Sequence, residues 1–196
     1  MLNKKEQNYL LSLARRNLEQ YLAGKSEVQV DESQLPSEKL AEARGTFVTL
    51  TSRPDEAGAR GQLRGCIGHI LPVQKLYLDV IENSITAATG DPRFDPVILQ
   101  ELPEIQIEIS VLDVPVAMAY SSQEDLAARL AKTKPGVILS MGPYNQATFL
   151  PQVWEQLPDA EIFLSHLCQK AGLPADAWKT KKLKIETYGA EVFEEE

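Results

Sequence analysis

The stretch "IQIEISV", residues 105–111, constrains this chain more than any other. Ile105, Ile107, Ile109 and Val111 alternate with Gln106, Glu108 and Ser110, and a period of two sends the two sets to opposite faces of a strand. A strand with one apolar and one polar face suits an antiparallel sheet covered on one side. A parallel sheet, buried on both faces, would show a continuous apolar run instead. The chain must therefore supply strand neighbours for this segment and a helical layer for its apolar face.

Both are legible. "GTFVTLTS" (45–52), rich in β-branched and aromatic residues, predicts one strand, and "LRGCIGHI" (63–70) predicts a partner antiparallel to it across the hydrophilic loop "RPDEAGARGQ". "GVILSM" and "QATFL" on either side of "GPYN" predict a hairpin. "LKIETYGAEV" reads as a last strand, and Val28 to Val30 as a short one. Helical spacing of Leu10, Leu11, Ala14, Leu18, Tyr21 and Leu22 predicts a helix from Lys4 to Leu22, stopped by Gly24. A second helix is expected from Pro72 to Thr89, with Val73, Leu76, Tyr77, Val80, Ile81, Ile85 and Ala88 as its stripe and Gly90 as its stop. Ser121 or Ser122 opens a third, and Asp159 caps a fourth whose stripe is Ala160, Phe163, Leu164, Leu167, Cys168 and Ala171. Helices and strands alternate without a βαβ rhythm, so the expected class is α+β, an antiparallel sheet flanked by helices.

At 196 residues the chain suits a single domain. Its net charge of −8 repels phosphate, which argues against a nucleic-acid partner; the lysines of "WKTKKLK" (178–184) read as a solvated strand face. No run approaches the roughly 20 apolar residues of a membrane span, and the N-terminus does not read as a signal peptide. Cys66 and Cys168 have no CxxC spacing, which points to a reduced, cytoplasmic protein.

The candidate chemistry lies in "LRGCIG". Strict alternation over 63–68 sends Leu63, Gly65 and Ile67 to the core face and Arg64, Cys66 and Gly68 to the other. Arg64 and Cys66 would then lie about 6 to 7 Å apart at Cα. A guanidinium there favours the thiolate, and Gly65 and Gly68 let a ligand or an anion approach the backbone N–H groups. The same residues also fit a buried cysteine beside a β-bulge. His69 is a possible base, but alternation puts it on the face opposite Cys66. Arg93, between Pro92 and Phe94, is either an anion contact or an ion-pair partner of Asp91 and Asp95. A metal site is not expected. His166 and Cys168, two apart on a helix, point different ways, which leaves Cys168 in the core and His166 at the surface. Nothing in the residues calls for a cofactor.

The blocks "GTFVTL", "LRGCIGHI", "DPRFDPV", "ELPEIQIEISVL", "KPGVIL", "QATFLPQVW" and "LCQKAGL", in this order, resemble the AMMECR-one family, in bacteria component A of the AmmeMemoRadiSam system. The likeness runs from about residue 5 to residue 193. It implies an α+β fold with a larger and a smaller lobe and a cleft. It also implies that Leu63, Arg64, Gly65, Cys66, Ile67 and Gly68 form the functional stretch, and that Memo-like and radical S-adenosylmethionine proteins are partners. The expected function is a small enzyme or enzyme subunit acting on a small or peptide-like substrate. Cys66 would be its nucleophile or thiol ligand and Arg64 the electrostatic partner. The alternative is a non-catalytic adaptor in which Arg64 anchors an interface.

Overall fold

A capping box opens helix α1 (Lys4–Leu22): the Asn3 side chain accepts the Glu6 N–H, and the Glu6 carboxylate accepts the Asn3 N–H. Gly24, at a φ of +78°, ends it, a backbone angle that a side chain would resist. The computed structural model describes residues 1–52 and 61–195; most of the "RPDEAGARGQ" loop lies outside the described residues.

Two compact units emerge, Met1–Leu112 with the chain from Glu191 onward, and Asp113–Ala190. The first holds a four-stranded sheet. Its strands are β1 (Thr46–Ser52), β2 (Leu63–Gly68), β3 (Ile105–Leu112) and, from the chain's end, a strand over Ala190–Glu194, in the order β2-β1-β3 followed by that last strand. β1 runs antiparallel to both β2 and β3. The register builds rows across three strands. Ile67–Val48–Ile109 and Gly65–Leu50–Ile107 face the core, where Val48, Leu50, Ile107 and Ile109 are fully buried. Helix α2 (Leu76–Thr89) covers this face, its Ala87 carbonyl lying over Gly65. The opposite face carries Gly68–Phe47–Ser110, Cys66–Thr49–Glu108 and Leu63–Thr51–Gln106.

The second unit has its own sheet, built from β4 (Val116–Ala117), the hairpin β5 (Gly136–Met141) and β6 (Asn145–Phe149), and β7 (Lys184–Tyr188), in the order β4-β7-β5-β6. Helix α3 (Gln123–Thr133) is capped by Ser122, whose side chain accepts the Asp125 N–H; a short helix α4 (Val153–Gln156) follows the hairpin. Helix α5 (Ala160–Lys170) is capped by Asp159, which accepts two N–H groups, and α6 (Ala177–Thr180) precedes β7. Phe163 of α5 stacks on Trp154 at 3.9 Å between ring centroids. The whole expected stripe of α5 is buried, Cys168 included, while His166 is exposed. The last strand of the chain, β8 (Ala190–Glu194), belongs to the sheet of the first unit.

The α+β class therefore holds, with two sheets rather than one. Three elements differ from the sequence reading. "LKIETYGAEV" is two strands, broken at Gly189 and shared between the two sheets. Helix α2 starts at Leu76, four residues later than Pro72. Lys75 is extended and bridges Ala43, and the Leu76 N–H goes to the Glu42 carbonyl, so tertiary pairing takes the residues that would form a first turn. No strand forms at Val28–Val30. The Val28 N–H is taken by the Asn17 side chain, and both valines pack singly on the core.

Candidate functional site

β2 is an edge strand, and an edge N–H needs a partner. For Cys66 that partner is Asp91, whose Oδ2 accepts the Cys66 N–H at 2.9 Å. Asp91 follows Gly90 at the end of α2, and the "DPRF" turn brings Arg93 back onto it. Arg93 donates Nε to Oδ1 at 2.9 Å and Nη2 to Oδ2 at 2.6 Å, a two-pronged pair on a buried carboxylate. The guanidinium of Arg93 and the N–H bond from Cys66 hold the Asp91 carboxyl far below the usual carboxylate range against the cost of burial. Arg93 is thus an ion-pair partner of Asp91, and its side chain remains 54% exposed.

The Cys66 side chain is half-buried on the face turned away from α2. Burial pushes its thiol up. The Thr49 hydroxyl, 3.2 Å from Sγ, and the charge of Arg93 oppose that rise, while Asp91 and Glu108 reinforce it. Arg64 plays no part in this balance. Leu50 pairs with Gly65 but Thr51 pairs with Leu63, so Arg64 is the extra residue of a β-bulge. Its guanidinium turns aside to donate to the Asp95 carbonyl at 2.7 Å and to Glu101 at 3.1 Å. The expected Arg64–Cys66 partnership is corrected: the bulge breaks the alternation it rested on, and Arg93 is the cation beside the thiol. The bulge also turns Leu63 out of the core, leaving it 40% exposed in line with Thr51. Ile67 keeps its place against the core.

The glycines do a different job from the one expected. A Cβ on Gly65 would lie 2.0 Å from the Ala87 carbonyl oxygen, and one on Gly68 would lie 2.1 Å from the Thr46 oxygen. Chain packing against each glycine accounts for its missing side chain, so the space is not left for a ligand. His69 sits on the α2 side and bonds Asp79, so it is not the base of Cys66. Sequence reasoning missed Thr49, Asp79 and Asn83, and saw Asp91 only as an ion-pair partner of Arg93, not as the acceptor of the Cys66 N–H. Asp79 and Asn83, four apart within the apolar stripe of α2, were the available signal, since a polar pair there must be buried with partners. Among the described residues, no group of three or more His, Cys, Asp or Glu side chains is placed to hold a metal ion.

The AMMECR1 family model matches residues 11–193 of this chain. The chain belongs to the AMMECR1 family. A protein of Methanopyrus kandleri is 38% identical to it, with 100% of this chain and 91% of that protein aligned. One from Methanocaldococcus jannaschii is 37% identical over 100% of this chain and 92% of its own length. The crystal structure of an uncharacterised protein from Pyrococcus horikoshii superposes with a TM-score of 0.85 at 35% identity, covering 100% of this chain and 94% of that one. The AMMECR1 assignment thus fixes the α+β fold. Among the described residues, no helix of this AMMECR1 protein is long and apolar enough to cross a membrane.

Proposed function

We propose that this AMMECR1 protein is a small enzyme or enzyme subunit that binds its substrate on the face of the first sheet carrying Leu63, Thr49, Cys66 and Glu108. The row Cys66–Thr49–Glu108, with the Arg93 guanidinium beside it, carries the reading. Cys66 rests as a neutral thiol and becomes a nucleophile when its proton is removed. Two carboxylates reach it with their charge: Asp91, held by Arg93 and by the Cys66 N–H, and Glu108, which lies across Thr49 in the same row. Arg93 receives an anionic group of the substrate, and Gly65, Ile67 and Gly68 hold the strand in register beneath it.

The test is alkylation of the native protein by iodoacetamide across a pH series, read by mass spectrometry at each thiol. Cys66 should react with an apparent pKa above that of a free thiol. Arg93→Ala should raise it further, Glu108→Gln should lower it, and Arg64→Ala should leave it unchanged. Cys168, fully buried, should react only on unfolding. If Cys66 is as inert as Cys168, the nucleophile is lost.

A second reading, a non-catalytic adaptor for a Memo-like or radical S-adenosylmethionine protein, is favoured by the apolar side chains of Leu63, Ile98 and Leu99, exposed on segments that Arg64 joins through Asp95 and Glu101. Small-molecule or peptide ligands that co-purify with the wild type but not with Arg93→Ala would favour the enzyme. A protein partner lost on Arg64→Ala would favour the adaptor.

A further inference from the structure

His69 follows the last residue of β2, and its N–H bonds the Thr46 carbonyl at 2.9 Å. Its ring turns toward α2, where Nδ1 meets Asp79 Oδ1 at 2.7 Å. The Asp79 side chain is 0% exposed. Its Oδ2 accepts the Thr46 N–H at 2.9 Å, the Thr46 hydroxyl at 2.7 Å and the Asn83 amide at 3.0 Å, and its Oδ1 accepts the Gln74 amide at 3.2 Å. Every one of these other partners is a donor. The carboxylate therefore acts as an acceptor throughout, and Nδ1 of His69 carries the ring proton. In the neutral ring Nε2 is then the basic nitrogen. Among the described residues nothing bonds it, and the imidazole is 35% exposed.

We propose that His69 and Asp79 form an acid–base dyad, separate from Cys66, in which Asp79 positions the ring and His69 Nε2 moves the proton in hydrolysis of an uncharged ester. Two observations set the substrate class. Gln74 bonds both Asp79 and Glu82, so the neighbourhood is acidic and an anionic substrate is repelled. Leu71 and Val73, in the turn after His69, are 55% and 62% exposed and offer an apolar seat for the acyl group. In the reaction Nε2 takes a proton from water as the water oxygen adds to the carbonyl carbon. The imidazolium so formed faces Asp79. Collapse of the adduct breaks the bond to the alcohol or phenol oxygen, which recovers that proton from Nε2.

His166, exposed on α5, is the other of the two histidines in the chain and serves as an internal control. Diethyl pyrocarbonate should carbethoxylate His69 at least about tenfold faster than His166 at neutral pH, despite the burial of one side of the His69 ring. In a Cys66→Ala background, which removes the thiol as an acyl acceptor, p-nitrophenyl acetate should be hydrolysed above the buffer rate with His69 intact and with His166→Gln added, and at the buffer rate with His69→Gln added. Asp79→Asn removes a buried acceptor and risks unfolding, so the positioning role is read on the wild type: nitrogen-15 resonances of His69 should show the neutral ring protonated at Nδ1. A ring protonated at Nε2, equal carbethoxylation of the two histidines, or ester hydrolysis unchanged in His69→Gln would each overturn the dyad. With Cys66 replaced the ester readout does not depend on the thiol, and neither histidine readout does, so failure at Cys66 and failure here are distinguishable.

Discussion

A methyl group at position 65 would press on the Ala87 carbonyl oxygen from 2.0 Å, and backbone cannot rotate away as a side chain can. Gly65→Ala should therefore destabilise the protein by about 1 to 3 kcal/mol through overpacking between β2 and α2, measured as a lower urea midpoint at unchanged slope. An unchanged midpoint would mean that strand and helix part without cost. The glycine was conspicuous in the sequence, yet its reason was not. "LRGCIG" shows that a backbone comes close, and only the tertiary structure shows that the approaching group is a helix carbonyl. Arg64 teaches the same point from the other side. Its distance from Cys66 along the chain suggested a partnership, and one bulged residue redirected it to Glu101 and the Asp95 carbonyl.

At the scale of elements, β2 is an edge strand held on its open side by Asp91 through the Cys66 N–H. Asp91→Asn leaves the shape intact but removes the charge that pairs with Arg93 and strengthens that bond. It should cost about 2 kcal/mol, less than for a fully buried pair because Arg93 stays half in water. The pH dependence follows from the sign of the shift. Asp91 is held far below its unfolded-state value, so its stabilisation is fully present above that value and fades as pH falls toward the depressed one. The gap in stability between wild type and Asp91→Asn should stay constant at neutral pH and begin to narrow below about pH 4, shrinking further as the pH falls. Urea unfolding of both proteins from pH 2 to 7 measures it, and a gap no smaller at pH 2 than at pH 7 would assign the effect to shape rather than charge. The helices themselves were largely legible: α1 matches its expected bounds, and α3 and α5 start at the expected caps. Helix α2 was misplaced at its start because Lys75 and Leu76 are bonded to Ala43 and Glu42, far away in sequence.

For the whole molecule, the second unit is one continuous segment whose ends meet: the Asp113 N–H bonds the Gly189 carbonyl at 2.9 Å. It has its own core, including Leu126, Leu130, Leu139, Phe163, Leu164 and Trp178. Residues 113–190 expressed alone should therefore fold and melt cooperatively, with the low stability of a small domain. Circular dichroism and a thermal scan test this, and a featureless, non-cooperative melt would refute it. The first unit receives its last strand, β8, from the far end of the chain. The sequence by itself determined the α+β class, most helices, the antiparallel β1–β2 pair, and the contrast between a buried Cys168 and an exposed His166, because periodicity and capping act between near neighbours. Tertiary structure alone decided that there are two sheets, that Arg93 rather than Arg64 stands by the Cys66 thiol, and that Asp79 orients His69. Each of those outcomes depends on which distant backbone supplies a hydrogen-bond partner or fills a space, and chain order does not encode that choice locally.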